Sequence, residues 1–335
     1  MKDSVILGTM APPSLASLAG DDAGIGRLRS STCHGPPLDG APVSAAVRVH
    51  GIIPPLDLAR LPKATPALDF ISIDSEHGAT NSTLDDLYGS SSMNQRDPYR
   101  DVERADAYSK VGIINSYYLA YRDLPQIFST YGVTGAALDF GCGTGRSTRF
   151  LREHGFSTVG VDIAEEMIVK AIEADPHGDY RTIDECDLGA FPNGSFDLVL
   201  SSMPFDSIPT KEEKVRTLRE ISRVLKHGGT KILIAASPEF YLHEWVSWST
   251  KSFPENRIAR SGDVVRVVIK DLGDDRVVED YLWTDESYRE TFAETPLRLV
   301  ETRRPLAQPE DPYQCEWLNE TAVAPFSIYV LKKAQ

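Results

Sequence analysis

The chain has 335 residues, 41% of them hydrophobic, with 49 acids against 35 bases and a formal charge of −14. Such a field opposes a phosphate backbone, so nucleic acid is not an expected partner. No apolar run approaches the roughly 18 residues of a membrane span, and the first residues lack a signal-peptide core, so neither membrane nor export is expected.

Residues 1–92 differ from the rest. They hold two of the 29 aromatic residues, Phe70 and Tyr88, but nine of the 22 prolines. Aromatic side chains supply much of the buried area that offsets chain entropy. A low-order N-terminal extension is therefore expected over 1–92. Met93 offers an alternative start that would leave those residues outside the native protein. Ala67–Gly78 is an exception, a strand-like run ending in Glu76-His77-Gly78. Its dozen residues resemble one strand of the HpcH/HpaI aldolases. The barrel that supports such a site needs about 250 residues, which are absent, so no metal is expected there. The four cysteines, Cys33, Cys142, Cys186 and Cys315, have no zinc-ligand spacing and fit a reduced, cytoplasmic protein.

Residues 101–131 read as one helical region. Val111, Ile114, Tyr118 and Tyr121 fall 3, 4 and 3 apart, as on one helix face. Strands and helices then alternate. Strands are expected at Ala137–Phe140, Thr158–Asp162, Phe196–Ser201 and Lys231–Ala235. Helices are expected at Arg146–His154, Glu165–Glu173 and Lys211–Leu225. This rhythm means an α/β fold, a mostly parallel sheet with helices on both faces. Two strands, Asp263–Lys270 and Arg276–Trp283, a helix at Asp285–Ala293 and closing strands at Leu297–Thr302 and Phe326–Leu331 follow.

The sharpest local signal is Ala137-Leu-Asp-Phe-Gly-Cys-Gly-Thr-Gly-Arg146, a strand, a glycine turn and a helix start. Glycines at 141, 143 and 145 let a ligand approach the backbone. Asp162 ends the next strand, 21 residues after Gly141, where an acid can accept both hydroxyl hydrogens of a ribose. A dinucleotide turn is spaced G-x-G-x-x-G and binds pyrophosphate. Here the spacing is G-x-G-x-G, and Asp139 would oppose a phosphate. It suits a ligand bearing an ammonium, such as the methionine end of S-adenosylmethionine.

Over roughly 101–335 the sequence resembles the class I S-adenosylmethionine-dependent methyltransferases. Asp139–Gly145 looks like their glycine motif and Val159–Asp162 like their second strand. Phe191–Ser201 is similar to the approach to their fourth strand, and Leu225–Gly229 to the turn before the fifth. The resemblance implies a Rossmann-like, seven-stranded sheet with an antiparallel C-terminal strand. It implies cofactor contacts from Gly141, Cys142, Gly143 and Gly145, with Asp139 on the amino group, Asp162 on the ribose and Ile163 beside the adenine. Asp184 is favoured for the adenine amino group, and Ser201 and Ser202 for the methionine portion. The domain would span 93–335, with leading cap helices at 93–131 and a substrate-side insertion at 238–283.

Specificity should lie outside the cofactor motifs, because the protein mainly positions the partners of a methyl transfer. Tyr117 and Tyr118 of the leading region, Phe205, and the aromatics Tyr241, Trp245 and Trp248 are the expected substrate contacts. Trp245 and Trp248, three apart, can share a helix face. His243, Asp206 and Tyr108 are the candidate catalytic groups. An aromatic wall would also stabilise a cation formed by methylating an alkene. The expected reaction is methylation of a small, fairly apolar metabolite at C, O or N, of the bacterial secondary-metabolite type. The pattern also resembles the prenyl-indole C-methyltransferases of teleocidin-type pathways, which methylate a prenyl group with cyclisation. A methyltransferase-fold cyclase or a cofactor-binding regulator without methyl transfer is the alternative. The aromatic leading helix could dock on a second copy.

Overall fold

The computed structural model describes residues 99–312 and 316–334. The expectations for 1–92, for Glu76 and His77, and for Cys33 and Cys315 lie outside those residues.

Three helices lead: α1 (Val102–Ser109), α2 (Ser116–Tyr121) and α3 (Leu124–Thr130). The one helix face expected across Val111, Ile114, Tyr118 and Tyr121 is thus corrected. Asn115 sits at φ 53°, in the left-handed region that breaks a helix, and Pro125 opens α3. The break shifts the helical phase. Tyr117, not Tyr118, is the buried tyrosine, and Ile114 is exposed. Asp101 caps α1, accepting the Arg104 N–H at 2.7 Å.

The alternating body follows as β1 (Ala136–Phe140), α4 (Arg146–Glu153), β2 (Ser157–Asp162), α5 (Glu165–Ala174) and β3 (Asp179–Thr182). Then come β4 (Phe196–Ser202), α6 (Lys211–Val224) and β5 (Leu225–Ala236). Strand β3 is a short polar segment with one buried residue, Tyr180, so it carries no strand pattern in the sequence. Thr210 caps α6 through the Glu213 N–H, two acids fill its first turn and Arg223 its last, complementing the helix dipole. The insertion forms a small antiparallel sheet of β6 (Trp248–Ser249), β7 (Val264–Ile269) and β8 (Val277–Tyr281). Helix α7 (Asp285–Ala293) and strands β9 (Leu297–Arg303) and β10 (Phe326–Lys333) close the body.

The main sheet has seven strands in the order β3-β2-β1-β4-β5-β10-β9, and β10 runs antiparallel to both neighbours. Its order reverses between β1 and β4. Beyond the carboxyl ends of such strands an open α/β sheet has its crevice. Two apolar cores flank the sheet. One joins Leu198, Leu200 and Ile232 to α2, α3, α4 and the insertion. The other joins Val199, Leu233 and Tyr329 to α6 and α7. Among the described residues no helix is long and apolar enough to cross a membrane.

Candidate functional site

The site is built where β1, β2 and β4 end. Gly141 and Gly145 have φ of 76° and 78°, which L side chains rarely adopt. A Cβ on Gly141 would lie 2.4 Å from Pro204, and one on Gly145 2.7 Å from the Tyr180 ring. These two glycines therefore serve packing within the protein. At Gly143 the nearest atom is a Tyr108 ring carbon 3.9 Å away, so this glycine faces the cleft beneath α1. Cys142 is buried, and its thiol is raised well above its usual pKa, first by burial.

Asp162 stitches the turn together. Its Oδ2 accepts the Gly143 N–H at 2.7 Å and its Oδ1 the Ala164 N–H at 3.0 Å. Asp139 is fully buried. Its Oδ2 accepts the hydroxyls of Ser147 (2.6 Å) and Thr148 (2.7 Å), while Oδ1 has no partner among the described residues. Burial pushes its carboxyl up to about 6, against the pull of those hydroxyls. A buried acceptor left open beside a glycine turn fits an ammonium group. Ile163 is half-buried, and Asp184 is exposed just after β3.

Across the crevice, Ser202 accepts the Tyr121 hydroxyl at 3.0 Å. Ser201 is buried and bonds Lys231 Nζ, whose ammonium is held well below its usual pKa by burial. Met203 sits at φ 73°, a strained conformation for a side chain with a Cβ, and it turns Pro204 onto Gly141.

The leading helices converge on Arg146, the first residue of α4. Its guanidinium lies 4.2 Å from the Tyr117 ring centroid and 5.4 Å from that of Tyr108. It donates to the carbonyls of Val111 and Gly112 and to the Tyr108 hydroxyl. Tyr117 in turn packs on Trp248 at 4.4 Å. Tyr108, Tyr117, Tyr121, Asp139, Ser202 and Arg146 are thus brought together. Arg146 carried no role in the sequence reading. Its signal was a cation at a helix start, where the dipole disfavours one.

Other expected groups stand apart. Trp245 and Trp248 do not share a helix; Trp248 is in β6, and Trp245 precedes it in irregular chain, stacked on Phe240 at 5.7 Å. Both are core residues, as is Phe205, which is fully buried with Phe140 on the opposite core. Tyr118 is only half-buried against that first core. His243 touches Trp245 at 5.9 Å, at the far end of the aromatic row from Tyr117. The acids beside it are committed elsewhere: Glu239 to Arg304, and Glu244 to the N–H groups of Thr250 and Lys251. Asp206 is buried, accepts the Ala236 N–H at 3.0 Å, and is raised by burial and by Asp280. Asp280 bonds the Tyr241 hydroxyl at 3.1 Å and is raised by burial too. Burial raises both carboxyls, while the Lys214 ammonium pulls both down. Nothing in the sequence around Asp280 marked it.

Residues 138–233 match the family described as Methyltransferase domain. The chain is 35% identical over 102 residues to the 2-methyl-6-phytyl-1,4-hydroquinone methyltransferase of Synechocystis, covering 30% of each chain. It is 31% identical over 153 residues to the cypemycin N-terminal methyltransferase of a Streptomyces species, covering 42% of this chain and 51% of that protein. The chain spans less than two thirds of the length of these curated relatives. Among solved structures, Streptomyces venezuelae DesVI superposes with a TM-score of 0.51 at 18% identity, covering 70% of this chain and all of that one, a likeness of fold.

Proposed function

We propose that this chain is a class I S-adenosylmethionine-dependent methyltransferase that methylates a small, fairly apolar acceptor beyond the ends of β1 and β4, a reading that the methyltransferase-domain match supports. The observation that carries this reading is the open Oδ1 of buried Asp139 beside the Gly143 turn, which Asp162 braces. These residues fit the cofactor. Asp139 would hold its ammonium, Gly143 its backbone wall, Asp162 its ribose and Asp184 its adenine. When bound, the cofactor supplies an activated methyl group that needs no protein nucleophile.

The protein's part is positioning and exclusion of water. The Tyr121–Ser202 hydrogen bond closes the cleft on the β4 side, and Tyr108 covers the glycine turn. A base is needed only where the acceptor must lose a proton for attack. The hydroquinone methyltransferase of Synechocystis acts, by its name, on a phytyl-bearing hydroquinone, which supports an apolar or aromatic acceptor. Secondary-metabolite biosynthesis, a cytoplasmic setting and self-association through the leading helices are part of the same reading.

The test incubates the full chain with S-adenosylmethionine and panels of phenols, indoles, prenylated indoles and amines. Release of S-adenosylhomocysteine with a mass gain of one methyl group on an acceptor is expected. Tight cofactor binding without turnover on any panel member would favour the regulator or cyclase alternative.

A further inference from the structure

Glu320 lies in the connection between β9 and β10 and is 0% exposed. The connection sits at the cleft end of the sheet, because Phe326, the first residue of β10, pairs with Ala236, the last of β5. Glu320 Oε1 accepts the Ser116 hydroxyl and the Val246 N–H, both at 2.6 Å, and Oε2 accepts the Leu318 N–H at 2.9 Å. A buried carboxyl is costly unless its oxygens are bonded, and here both are. The Ser116 hydroxyl also accepts the Ser247 N–H at 3.2 Å. One side chain thus ties the first residue of α2 to the approach to β6.

The same connection grips α2 at its other end. Arg122, which follows the helix, donates from Nη1 to the Leu306 carbonyl at 2.9 Å and to Asp311 at 3.1 Å. The chain entering α2 is strained. Asn115 has φ 53° and ψ −140°, which a residue with a Cβ rarely adopts. Such a conformation persists only where its surroundings fix it. Glu320 fixes it through Ser116, and Asp271 fixes it through the Asn115 side-chain amide at 3.3 Å. What the strain secures is the placement of two tyrosines. Tyr117 lies on Trp248 at 4.4 Å and on the Arg146 guanidinium at 4.2 Å, and Tyr121 bonds Ser202 at 3.0 Å.

We infer that Glu320 is a positioning residue: through Ser116 it holds α2 in place, so that Tyr117 and Tyr121 close the cleft against the start of α4 and the end of β4. What the closed cleft binds rests on the methyltransferase reading.

Hydrogen exchange of the full chain, read by mass spectrometry, and calorimetry with S-adenosylhomocysteine test this together. Ser116→Ala removes the arm to α2 and keeps the bonds of Glu320 to Val246 and Leu318. Glu320→Gln replaces one acceptor oxygen by a donor. In each variant the amides of residues 117–122 should exchange about 10-fold faster or more, with β1 and β4 at wild-type rates. S-adenosylhomocysteine should bind about 5- to 10-fold more weakly. Should Glu320→Gln fail to fold, Ser116→Ala decides. Faster exchange in α2 with unchanged affinity overturns the inference, because the clamp would then serve the fold alone. Faster exchange spreading through β1 and β4 overturns it as well, and so does unchanged exchange in α2. A wild type that binds no S-adenosylhomocysteine overturns the methyltransferase reading, and the inference with it; that result shows before any substitution is made.

Discussion

The glycine-turn end of the cleft and the aromatic insertion spend burial in opposite ways. Around the turn, Asp139 and Arg146 are buried with polar atoms left open. In the insertion, Phe240, Trp245 and Trp248 are buried against one another, and the Trp245 indole N–H is satisfied by the Phe240 carbonyl at 2.8 Å. The first leaves charged atoms open at a cost in stability; the second is held mainly by ring-on-ring packing. We therefore take the open oxygen of Asp139 beside the glycine turn, rather than aromatic richness, as the mark of the proposed binding end.

Trp245→Ala should break the second region hardest. It should cost about 3–5 kcal/mol of stability by leaving a cavity in the core, read as a lower Tm, with cofactor affinity retained in the folded fraction. Strong loss of affinity at unchanged Tm would place Trp245 in the cleft instead. Asp162→Ala should weaken S-adenosylhomocysteine by about 2–3 kcal/mol, through lost charge-assisted hydrogen bonds and a loosened Gly143 N–H. An unchanged calorimetric affinity would refute the ribose role.

Asp139→Asn sharpens the contrast in sign. It should weaken S-adenosylhomocysteine by about 1–2 kcal/mol while raising, or leaving unchanged, the stability of the ligand-free fold. The folded carboxyl titrates at about 6, above its ordinary 3.8. The ionised form is therefore the one that burial penalises, and the penalty exists above pH 6 and fades as pH falls toward 4. The Tm advantage of Asp139→Asn should be largest near pH 7.5 and should shrink by pH 5. Binding behaves inversely. An ammonium needs the ionised carboxylate, so wild-type affinity for S-adenosylhomocysteine should fall below pH 6 while that for 5′-methylthioadenosine stays level. Parallel pH profiles for the two nucleosides would contradict this role.

Much of this was legible in the sequence, for local reasons. The glycine turn, Asp162 and the strand–helix rhythm rest on short-range spacing, and the sheet order places them as that spacing implies. The leading region was misread because the chain turns at Asn115, so a 3-4-3 spacing that crosses a helix break put Tyr118 inside in place of Tyr117. Trp245 and Trp248 have helical spacing in a segment that forms a bend and a strand. Asp280 and Lys231 were invisible because their burial depends on distant segments: Asp280 meets Tyr241 across 39 residues, and Lys231 meets Ser201 across 30. Arg104 has no local sequence signal of burial, yet it is buried against the Tyr99 ring.

The most direct test of the account is a calorimetric titration of the full wild-type chain with S-adenosylhomocysteine near pH 7.5, repeated with Asp162→Ala. Saturable one-to-one binding that the substitution weakens at least about 10-fold is the predicted result. No binding to the wild type, or equal affinity in both proteins, would contradict a cofactor seated on the Gly143 turn.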